Sequence, residues 1–194
     1  MTILRRMPKL GVVIASVREG RVGRPVADWF TERARAHAGF DIDVVDLKEV
    51  NLPMFAERHH PRLRQYESDY QKAWSARVAS LDAFVFVVPE YNYSTAPALL
   101  NALDYLLFEW NYKPVAFVSY GGISGGLRGV QMTKPRLLAF NMMPIVEAVP
   151  IPFVATQIHE GRFEATEAQV KALNAALDEL RRWTAALSAL RTRP

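Results

Sequence analysis

Apolar runs alternate with amphipathic segments along the chain, and this alternation predicts most of the secondary structure. Five short runs rich in valine, isoleucine and phenylalanine have the length and composition of buried strands, and they cover residues 10–15, 40–47, 83–88, 113–120 and 144–152. Apolar residues at helical spacing predict helices that begin at Pro25 and that cover residues 65–80, 96–110, 127–141 and 167–190. We expect Pro135 to interrupt or kink the fourth of these helices, and residues 48–62 to form a loop.

Strands that alternate with helices predict an α/β fold in which helices cover both faces of a parallel sheet. No long linker rich in serine or glycine divides the chain, so a single domain over residues 1–194 is expected. In sheets of this kind, ligands bind beyond the carboxyl ends of the strands. The candidate site therefore consists of the loops after the first, third and fourth strands, which we call loop 1 (residues 16–25), loop 3 (residues 89–97) and loop 4 (residues 119–126).

Composition excludes several classes of protein. The 194 residues are 50% hydrophobic and 23% charged, as in ordinary globular proteins, and no apolar run is long enough to span a membrane. The absence of cysteine excludes disulfide scaffolds, cysteine-ligated metal sites and cysteine nucleophiles. A net charge of +4 leaves nucleic-acid binding as a non-enzymatic alternative that charge alone supports. We expect a cytoplasmic protein that binds neither membrane, metal nor nucleic acid, with His59 and His60 in a surface loop.

Loop 1 has the composition of an anion-binding site. A serine, several arginines and two glycines directly precede the predicted first helix, where free backbone N–H groups and the helix dipole favour a phosphate. Neither G-x-G-x-x-G nor G-x-x-x-x-G-K-[ST] is present, which favours a monophosphate over a dinucleotide or a nucleoside triphosphate. A solvent-exposed basic loop without a ligand is the alternative.

Loops 3 and 4 offer two walls to a flat aromatic ligand. Loop 3 places Tyr91 and Tyr93 around Asn92, whereas helix capping alone explains only its Ser94 or Thr95. Loop 4 has four glycines in six residues, which allow a ligand to approach the backbone closely, although turn formation alone also favours glycine. A phosphate at loop 1 with a ring between loops 3 and 4 suits flavin mononucleotide (FMN).

Three linked motifs extend this interpretation. The chain carries S-x-R-x-G-R-x-G at residues 16–23, PEYNYS-x-x-P and L-x-N-A-L-D within residues 89–104, and EW-x-x-KPV and SYGG-x-SGG-x-R within residues 109–128. In order and spacing, these motifs resemble the NADPH-dependent FMN reductases over about residues 10–152. The resemblance implies a three-layer flavodoxin-like fold with strand order 2-1-3-4-5, bound FMN, and NADPH or NADH as co-substrate. It also implies a small-molecule acceptor, such as a quinone, a flavin, an azo dye or a metal oxyanion.

The resemblance further implies contacts for individual residues. The phosphate would be bound by Ser16, Arg18, Arg21 and the N–H groups of Val22 and Gly23. The ribityl chain and the ring would be bound by Pro89, Glu90, Tyr91, Asn92, Ser119, Tyr120, Gly121 and Gly122. No catalytic acid or base is expected, because the hydride chemistry belongs to the flavin. Two substrates that use one ring face in turn predict ping-pong kinetics, and a flavin-storing electron carrier is the alternative without reductase activity.

A hydrolase is the enzymatic alternative of a different class. Residues 122–126 fit the G-x-S-x-G pattern of a nucleophile elbow centred on Ser124. Glu147 and His159 follow it in the order of a hydrolase triad. The SYGG turn that separates the strand from Ser124 argues against this alternative, because the elbow requires a sharp strand-to-helix turn.

A homodimer or a tetramer is expected on two grounds. The resemblance implies an oligomer. A flavin ring at the edge of a sheet also needs further protein surface around it to exclude water. Four aromatic residues also amount to more aromatic surface than one small domain readily hides, namely Tyr93, Phe108, Trp110 and Tyr112.

Overall fold

The computed structural model describes residues 6–191 and contains a parallel sheet of five strands in the order β2-β1-β3-β4-β5. The strands are β1 (Lys9–Ile14), β2 (Asp41–Asp46), β3 (Ala83–Pro89), β4 (Pro114–Tyr120) and β5 (Met143–Ile151). Each lies within about one residue of its predicted bounds, and the predicted α/β class and strand order are confirmed. The expected single domain over 1–194 also includes residues 1–5 and 192–194, which lie outside the described residues.

Burial follows the position of each strand in the sheet. The central strands β1, β3 and β4 are almost wholly buried, whereas β2 and β5 at the edges have exposed positions as well. Strand β1 pairs in parallel with β2 on one side and with β3 on the other, so the order in which strands are added to the sheet reverses at β1. The carboxyl ends of β1 and β3 therefore form the topological switch point, where ligands bind in sheets of this kind.

Helices form the two outer layers. The described residues contain α1 (Gly23–His37), α2 (Leu47–Val50), α3 (Asp69–Ser80), α4 (Pro97–Asp104), α5 (Leu127–Leu138) and α6 (Glu167–Arg191). One face of the sheet is covered by α1 and α6, for example through Phe30 and Leu177. The other face is covered by α3, α4 and α5, through residues that include Trp74, Leu103 and Val130.

The helix predicted over residues 96–110 is wrong in its length. It ends at Asp104, and a separate 3₁₀ turn covers Phe108–Trp110. Trp110 is 1% exposed, and its Nε1–H donates to the Leu103 carbonyl at 3.2 Å. A buried indole N–H needs an acceptor, and a carbonyl at a helix end is available for it. The chain therefore leaves the helix early and folds back, so that Trp110 enters the core.

The predicted interruption at Pro135 is also wrong, because α5 runs through it. Pro135 is exposed, and the carbonyl that loses its internal partner belongs to Gln131, which is exposed as well. A proline is tolerated better at such an exposed position, where solvent can replace the lost hydrogen bond.

Smaller elements also differ from the sequence prediction. Helix α3 begins at Asp69 rather than at residue 65, and the expected loop over residues 48–62 contains most of α2 and part of a 3₁₀ turn (Pro61–Leu63). A short hairpin of β6 (Ile158–His159) and β7 (Arg162–Phe163) precedes α6. Within residues 6–191, no helix is long and apolar enough to cross a membrane, and no three His, Asp or Glu side chains are grouped to hold a metal ion.

Candidate functional site

The carboxyl ends of β1, β3 and β4 bring the three predicted loops into contact. Ser16 of loop 1 and Tyr91 of loop 3 share a hydrogen bond of 2.8 Å between their hydroxyl groups. The Glu90 N–H of loop 3 donates to the Tyr120 carbonyl of loop 4 at 3.1 Å. Residues that are far apart in sequence thus form one continuous edge of the molecule.

The amino end of α1 is open to an anion. The helix begins after Val22, and no side chain caps it, so its first N–H groups are left without a capping partner. A methyl group at Gly23 would collide with the Tyr120 hydroxyl, which is buried and has no hydrogen-bond partner among the described residues. Burial, followed by the neighbouring Tyr91, raises the pKa of Tyr120 far above its usual range. The hydroxyl therefore remains protonated and is an unused donor beneath the start of the helix.

The two arginines predicted to bind a phosphate have different surroundings. Arg21 forms a bidentate ion pair with the buried Asp46, at 2.6 and 2.5 Å, and donates to the Ser16 carbonyl at 2.6 Å. Arg18 is exposed and forms no ion pair with the described residues, and its guanidinium lies 5.8 Å from the centre of the Tyr91 ring. Arg18 is therefore available to an anion, whereas Arg21 holds loop 1 against the end of β2. A direct phosphate contact from Arg21 stays a prediction.

Loop 3 begins with a two-residue hairpin. Tyr91 and Ser94 exchange backbone hydrogen bonds of 2.8 and 2.9 Å, and the residues between them, Asn92 and Tyr93, have φ angles of 50° and 69°. Positive φ at both central positions is typical of a type I′ turn, in which asparagine is common and tyrosine is not. Pro89 before the hairpin is buried, whereas Asn92 and Tyr93 are exposed. The predicted ring contacts of loop 3 therefore begin in the core and end at the surface.

The base of loop 4 is fixed by close packing. Ser119 is fully buried, and its hydroxyl donates to the Gly125 carbonyl at 2.8 Å. Gly126 has a φ of 83°, and a methyl group there would lie 2.7 Å from the Tyr120 nitrogen. The side chain of Ser119 and the glycine at position 126 therefore fix the shape of the loop, and neither is directed at a ligand.

The tip of loop 4 is open. The Gly121 N–H donates to the Ile151 carbonyl at 3.3 Å, so this predicted ring contact already has a protein partner. Gly122 is exposed, and a methyl group there would meet nothing within 4 Å. Gly122 is consequently the position at which a flat ligand approaches the backbone of loop 4 with least obstruction.

A charged cluster that sequence reasoning missed joins loop 3 to α5. Glu90 Oε2 accepts hydrogen bonds from the Ser124 hydroxyl at 2.7 Å and the Arg128 N–H at 3.2 Å, and Oε1 accepts one from Arg128 Nε at 2.6 Å. Burial acts to raise the pKa of Glu90, but the hydrogen bonds from Ser124 and Arg128 outweigh it and the pKa is lowered. The available signal was the pair of opposite charges in the PEYNYS and SYGG-x-SGG-x-R motifs.

The same contacts remove the geometric support for a hydrolase. Ser124 donates its hydroxyl proton to Glu90 rather than to a histidine. His159 lies in the β6–β7 hairpin, where it is exposed and 3.9 Å from Glu164. A nucleophilic serine of a triad needs a histidine within hydrogen-bond reach, and the hydroxyl of Ser124 is instead bonded to Glu90.

The aromatic residues expected to form an interface differ in burial. Trp110 belongs to the core, so this part of the expectation is wrong. Phe108 and Tyr112 are half-buried, and the Arg64 guanidinium lies 4.4 Å from the centre of the Phe108 ring. Tyr93, by contrast, is 63% exposed and lies beside the site.

Comparisons with known proteins agree with this geometry. The family model for NADPH-dependent FMN reductase matches residues 8–156, which include all three loops. The NAD(P)H-dependent FMN reductase C4B3.06c from Schizosaccharomyces pombe is 37% identical over 153 residues, which make up 77% of this chain and 76% of that protein. A quinone reductase from Pseudomonas putida is 30% identical over 145 residues, which make up 71% of this chain and 73% of that protein.

A solved structure shares the fold. FerB, a flavoenzyme NAD(P)H:(acceptor) oxidoreductase from Paracoccus denitrificans, superposes with a TM-score of 0.73 at 20% identity, over 92% of this chain and 98% of that one. The strand order of the sheet is that of the flavodoxin-like fold. Since the family model covers most of the chain and every loop of the site, the chain belongs to the NADPH-dependent FMN reductase family, whose members use NAD(P)H with FMN.

Proposed function

We propose that this chain holds FMN where loops 1, 3 and 4 meet, and that it passes electrons from NAD(P)H to quinones or free flavins. The observation that carries the proposal is a set of donors at the start of α1 that have no partner within residues 6–191, namely uncapped N–H groups, the buried Tyr120 hydroxyl and the guanidinium of Arg18, which forms no ion pair there. For a quinone, the reaction is NAD(P)H + H⁺ + quinone → NAD(P)⁺ + hydroquinone. Two electrons and one proton leave NAD(P)H as hydride, and the second proton comes from solvent.

The residues present at α1 fit the phosphate of FMN. The N–H groups of Val22 and Gly23 and the positive end of the helix dipole favour a dianion. Arg18 adds charge-assisted hydrogen bonds, which are stronger than neutral ones. Arg21 keeps loop 1 in shape through Asp46, and any direct contact that it makes with phosphate uses donors that Asp46 leaves free.

The flavin ring would lie between residues 89–92 of loop 3 and residues 119–122 of loop 4. Bound FMN supplies the redox chemistry by accepting a hydride and releasing two electrons, so no residue of the chain has to act as an acid or a base. The chain binds and orients the two substrates. Among the N–H groups of residues 120–122, we assign that of Gly122 to the reduced ring's negative charge, because Gly122 is exposed and unobstructed.

The proposal predicts ping-pong kinetics and the use of both coenzymes. If NAD(P)H and the acceptor occupy the same exposed ring face in turn, double-reciprocal plots will be parallel. A preference for NADPH would require a free cation for the 2′-phosphate. Of the three arginines at this edge, Arg24 pairs with Asp28 at 2.9 Å and Arg128 pairs with Glu90 at 2.6 Å, whereas Arg18 forms no ion pair with the described residues. We expect both coenzymes to serve, with NADPH favoured over NADH.

The proposal includes a homodimer or a tetramer that works in the cytoplasm, where NAD(P)H is available. Exposed apolar side chains on loop 4, α5 and the edge strand β5 support an assembly, among them Ile123, Met132, Leu138 and Val146. Exposed apolar surface marks an interaction site where it is contiguous, and we propose that these side chains form such a patch. Light scattering at micromolar concentration tests this part, and the mass of a single chain would contradict it.

Anaerobic reduction tests the proposed function. FMN-loaded protein should lose its oxidised flavin absorbance when NADPH or NADH is added, and it should recover the absorbance when a quinone follows. Protein that binds FMN but is bleached by neither coenzyme would contradict the reductase proposal and favour a flavin-storing electron carrier. Protein that stays colourless after FMN is added and the excess removed would contradict the binding site itself.

A further inference from the structure

Tyr93 occupies a backbone position that does not favour it. It is the second central residue of the hairpin in loop 3, and its φ angle of 69° lies in the left-handed region. Asn92 at the first central position is common in such turns, and glycine is the residue most favoured at the second. A tyrosine there strains the backbone, and strain of this kind persists at functional sites because the surrounding structure enforces it. The turn itself therefore does not explain the side chain.

Arg128 fixes the ring of Tyr93 in place. Its guanidinium carbon lies 4.3 Å from the centre of the ring, which is the distance of a cation stacked on an aromatic face. Glu90 holds Arg128 in turn through the 2.6 Å hydrogen bond to Nε, and Ser124 lies 3.4 Å from the other end of the guanidinium. Tyr93 is nevertheless 63% exposed, so the ring has one face on Arg128 and presents its other face to solvent.

The hairpin that carries Tyr93 is seated firmly beside the predicted ring site. A methyl group at Gly129, in the first turn of α5, would lie 2.8 Å from the Ser94 carbonyl, so the helix and the hairpin are in close contact. Glu90 and Tyr91 begin the segment that ends in Tyr93, and Ser124 and Arg128 follow the open tip of loop 4. The exposed ring thus borders the gap between loops 3 and 4.

We propose that Tyr93, stacked on Arg128, is the platform on which the planar aromatic electron acceptor of this enzyme binds. This inference rests on the proposed function, and it names the acceptor's chemical class. Aromatic rings stack on a fixed aromatic face with little dependence on their substituents. Because Glu90 balances the charge of Arg128, the platform selects flat rings by shape, and it accepts neutral quinones as well as anionic ones.

The test compares Tyr93→Gly with Tyr93→Phe. Glycine is relaxed at a positive φ, so Tyr93→Gly removes the ring without straining the turn, and Tyr93→Phe retains the ring as a matched control. The probe is anthraquinone-2-sulfonate, and its dissociation constant from oxidised, FMN-loaded protein is measured by equilibrium dialysis. We expect the constant to rise about tenfold in Tyr93→Gly, equivalent to about 1.4 kcal/mol, and to stay within about twofold of the parent in Tyr93→Phe.

Two further readouts separate a platform from a structural role. The affinity for FMN, measured by fluorescence titration, should be unchanged in both variants, and the midpoint of urea unfolding should fall in neither of them. An unchanged anthraquinone constant in Tyr93→Gly would overturn the inference. So would a loss of FMN affinity equal to the loss of anthraquinone affinity, or a shift from oligomer to monomer, which would assign Tyr93 to the flavin site or to an interface. A parent protein that cannot bind FMN would instead overturn the proposed function and the inference with it.

Discussion

The two ends of the sheet both gather charged and polar side chains, but they use them differently. At the carboxyl end, the start of α1 is uncapped and the buried Tyr120 hydroxyl has no partner among the described residues. At the amino end, Asp82 accepts hydrogen bonds from the Lys9 N–H at 2.8 Å and from Arg6 at 3.2 Å. Arg191 adds a hydrogen bond of 2.7 Å to the Asp82 carbonyl. Buried side-chain atoms without a partner within residues 6–191 occur at the amino end as well, at His37 Nδ1 and Glu109 Oε2, but the uncapped N–H groups of α1 and the Tyr120 hydroxyl lie at the carboxyl end.

Lys113 shows what the difference teaches. It is buried just before β4, and its Nζ donates to the Val78 carbonyl in the last turns of α3 at 2.8 Å. Burial, followed by the charge of Arg191, lowers the pKa of Lys113 to about 7. Strongly shifted pKa values are frequent at active sites, yet here the amine anchors a helix. Among the described residues, unused donors rather than a perturbed pKa distinguish the end of the sheet that carries the candidate site.

Breaking the buried ion pair of loop 1 should have the largest effect on stability. Asp46→Ala leaves Arg21 with its guanidinium mostly buried and without its carboxylate, which should cost about 3–5 kcal/mol of unfolding free energy in urea. Asp28→Ala removes the exposed partner of Arg24 and is the matched control, with an expected cost below about 1 kcal/mol. Equal costs for the two variants would mean that the Arg21–Asp46 pair does not hold loop 1.

Two glycines of loop 4 separate its fixed base from its open tip. Gly126→Ala forces a side chain into a left-handed backbone and against the Tyr120 nitrogen, so it should cost about 2–4 kcal/mol of stability. Gly122→Ala meets nothing in the protein and should change stability by less than about 0.5 kcal/mol. It should still weaken FMN binding about tenfold, or about 1.4 kcal/mol, because the new methyl group occupies the flavin's space. Unaltered FMN affinity in Gly122→Ala would place the ring elsewhere.

Removing the side chain of Arg18 should weaken the binding of FMN without affecting the fold. Arg18→Ala is expected to lose about 1.5–3 kcal/mol of FMN binding, the range for hydrogen bonds to charged groups. Riboflavin lacks the phosphate, so its affinity should barely change. Arg24→Ala is the control, because Arg24 is already paired with Asp28. An equal loss of affinity for FMN and for riboflavin in Arg18→Ala would show that Arg18 acts on the ring or the fold instead of the phosphate.

The amino end of the sheet should affect the pH dependence of stability rather than the binding of ligands. Unfolded chain keeps Lys113 protonated to about pH 10, whereas the folded protein releases the proton near pH 7. Stability should therefore rise with pH between these values, by at most about 1.4 kcal/mol per pH unit from this group. The unfolding free energy of the parent minus that of Lys113→Met should increase from pH 7 to pH 9. Lys171→Met is the control, for which this difference should stay constant. A constant difference would contradict the account.

The sheet and its loops could be predicted because local patterns determine them. A continuous apolar run such as residues 83–88 by itself predicts a strand that is buried on both faces. Parallel connectivity then places the loops that follow such strands at one edge of the sheet. The end of α4 could not be predicted, since it depends on Trp110 reaching a carbonyl of that helix after the chain turns back. Amphipathic spacing alone continues the helix through residue 110.

The meeting of the three loops at one edge could be predicted, whereas their contacts with a ligand stay predictions. The anion-binding composition of loop 1 is visible in the sequence, but the pairing of Arg21 with Asp46 requires β2 to lie beside β1. Glu90 and Arg128 meet across 38 positions of sequence, and the opposite charges in their two motifs do not by themselves show that the two residues pair. Long-range ion pairs decide which arginine is free, and the fold is needed to show them.

A calorimetric titration of the parent protein with FMN and with riboflavin tests the central claim most directly. The claim is that the donors left unused at the start of α1 bind the phosphate of the flavin. Both ligands should bind, and FMN should bind more tightly, by about 1.5–3 kcal/mol for the contact with Arg18 alone. Equal affinities for FMN and riboflavin, or no binding of either, would contradict it.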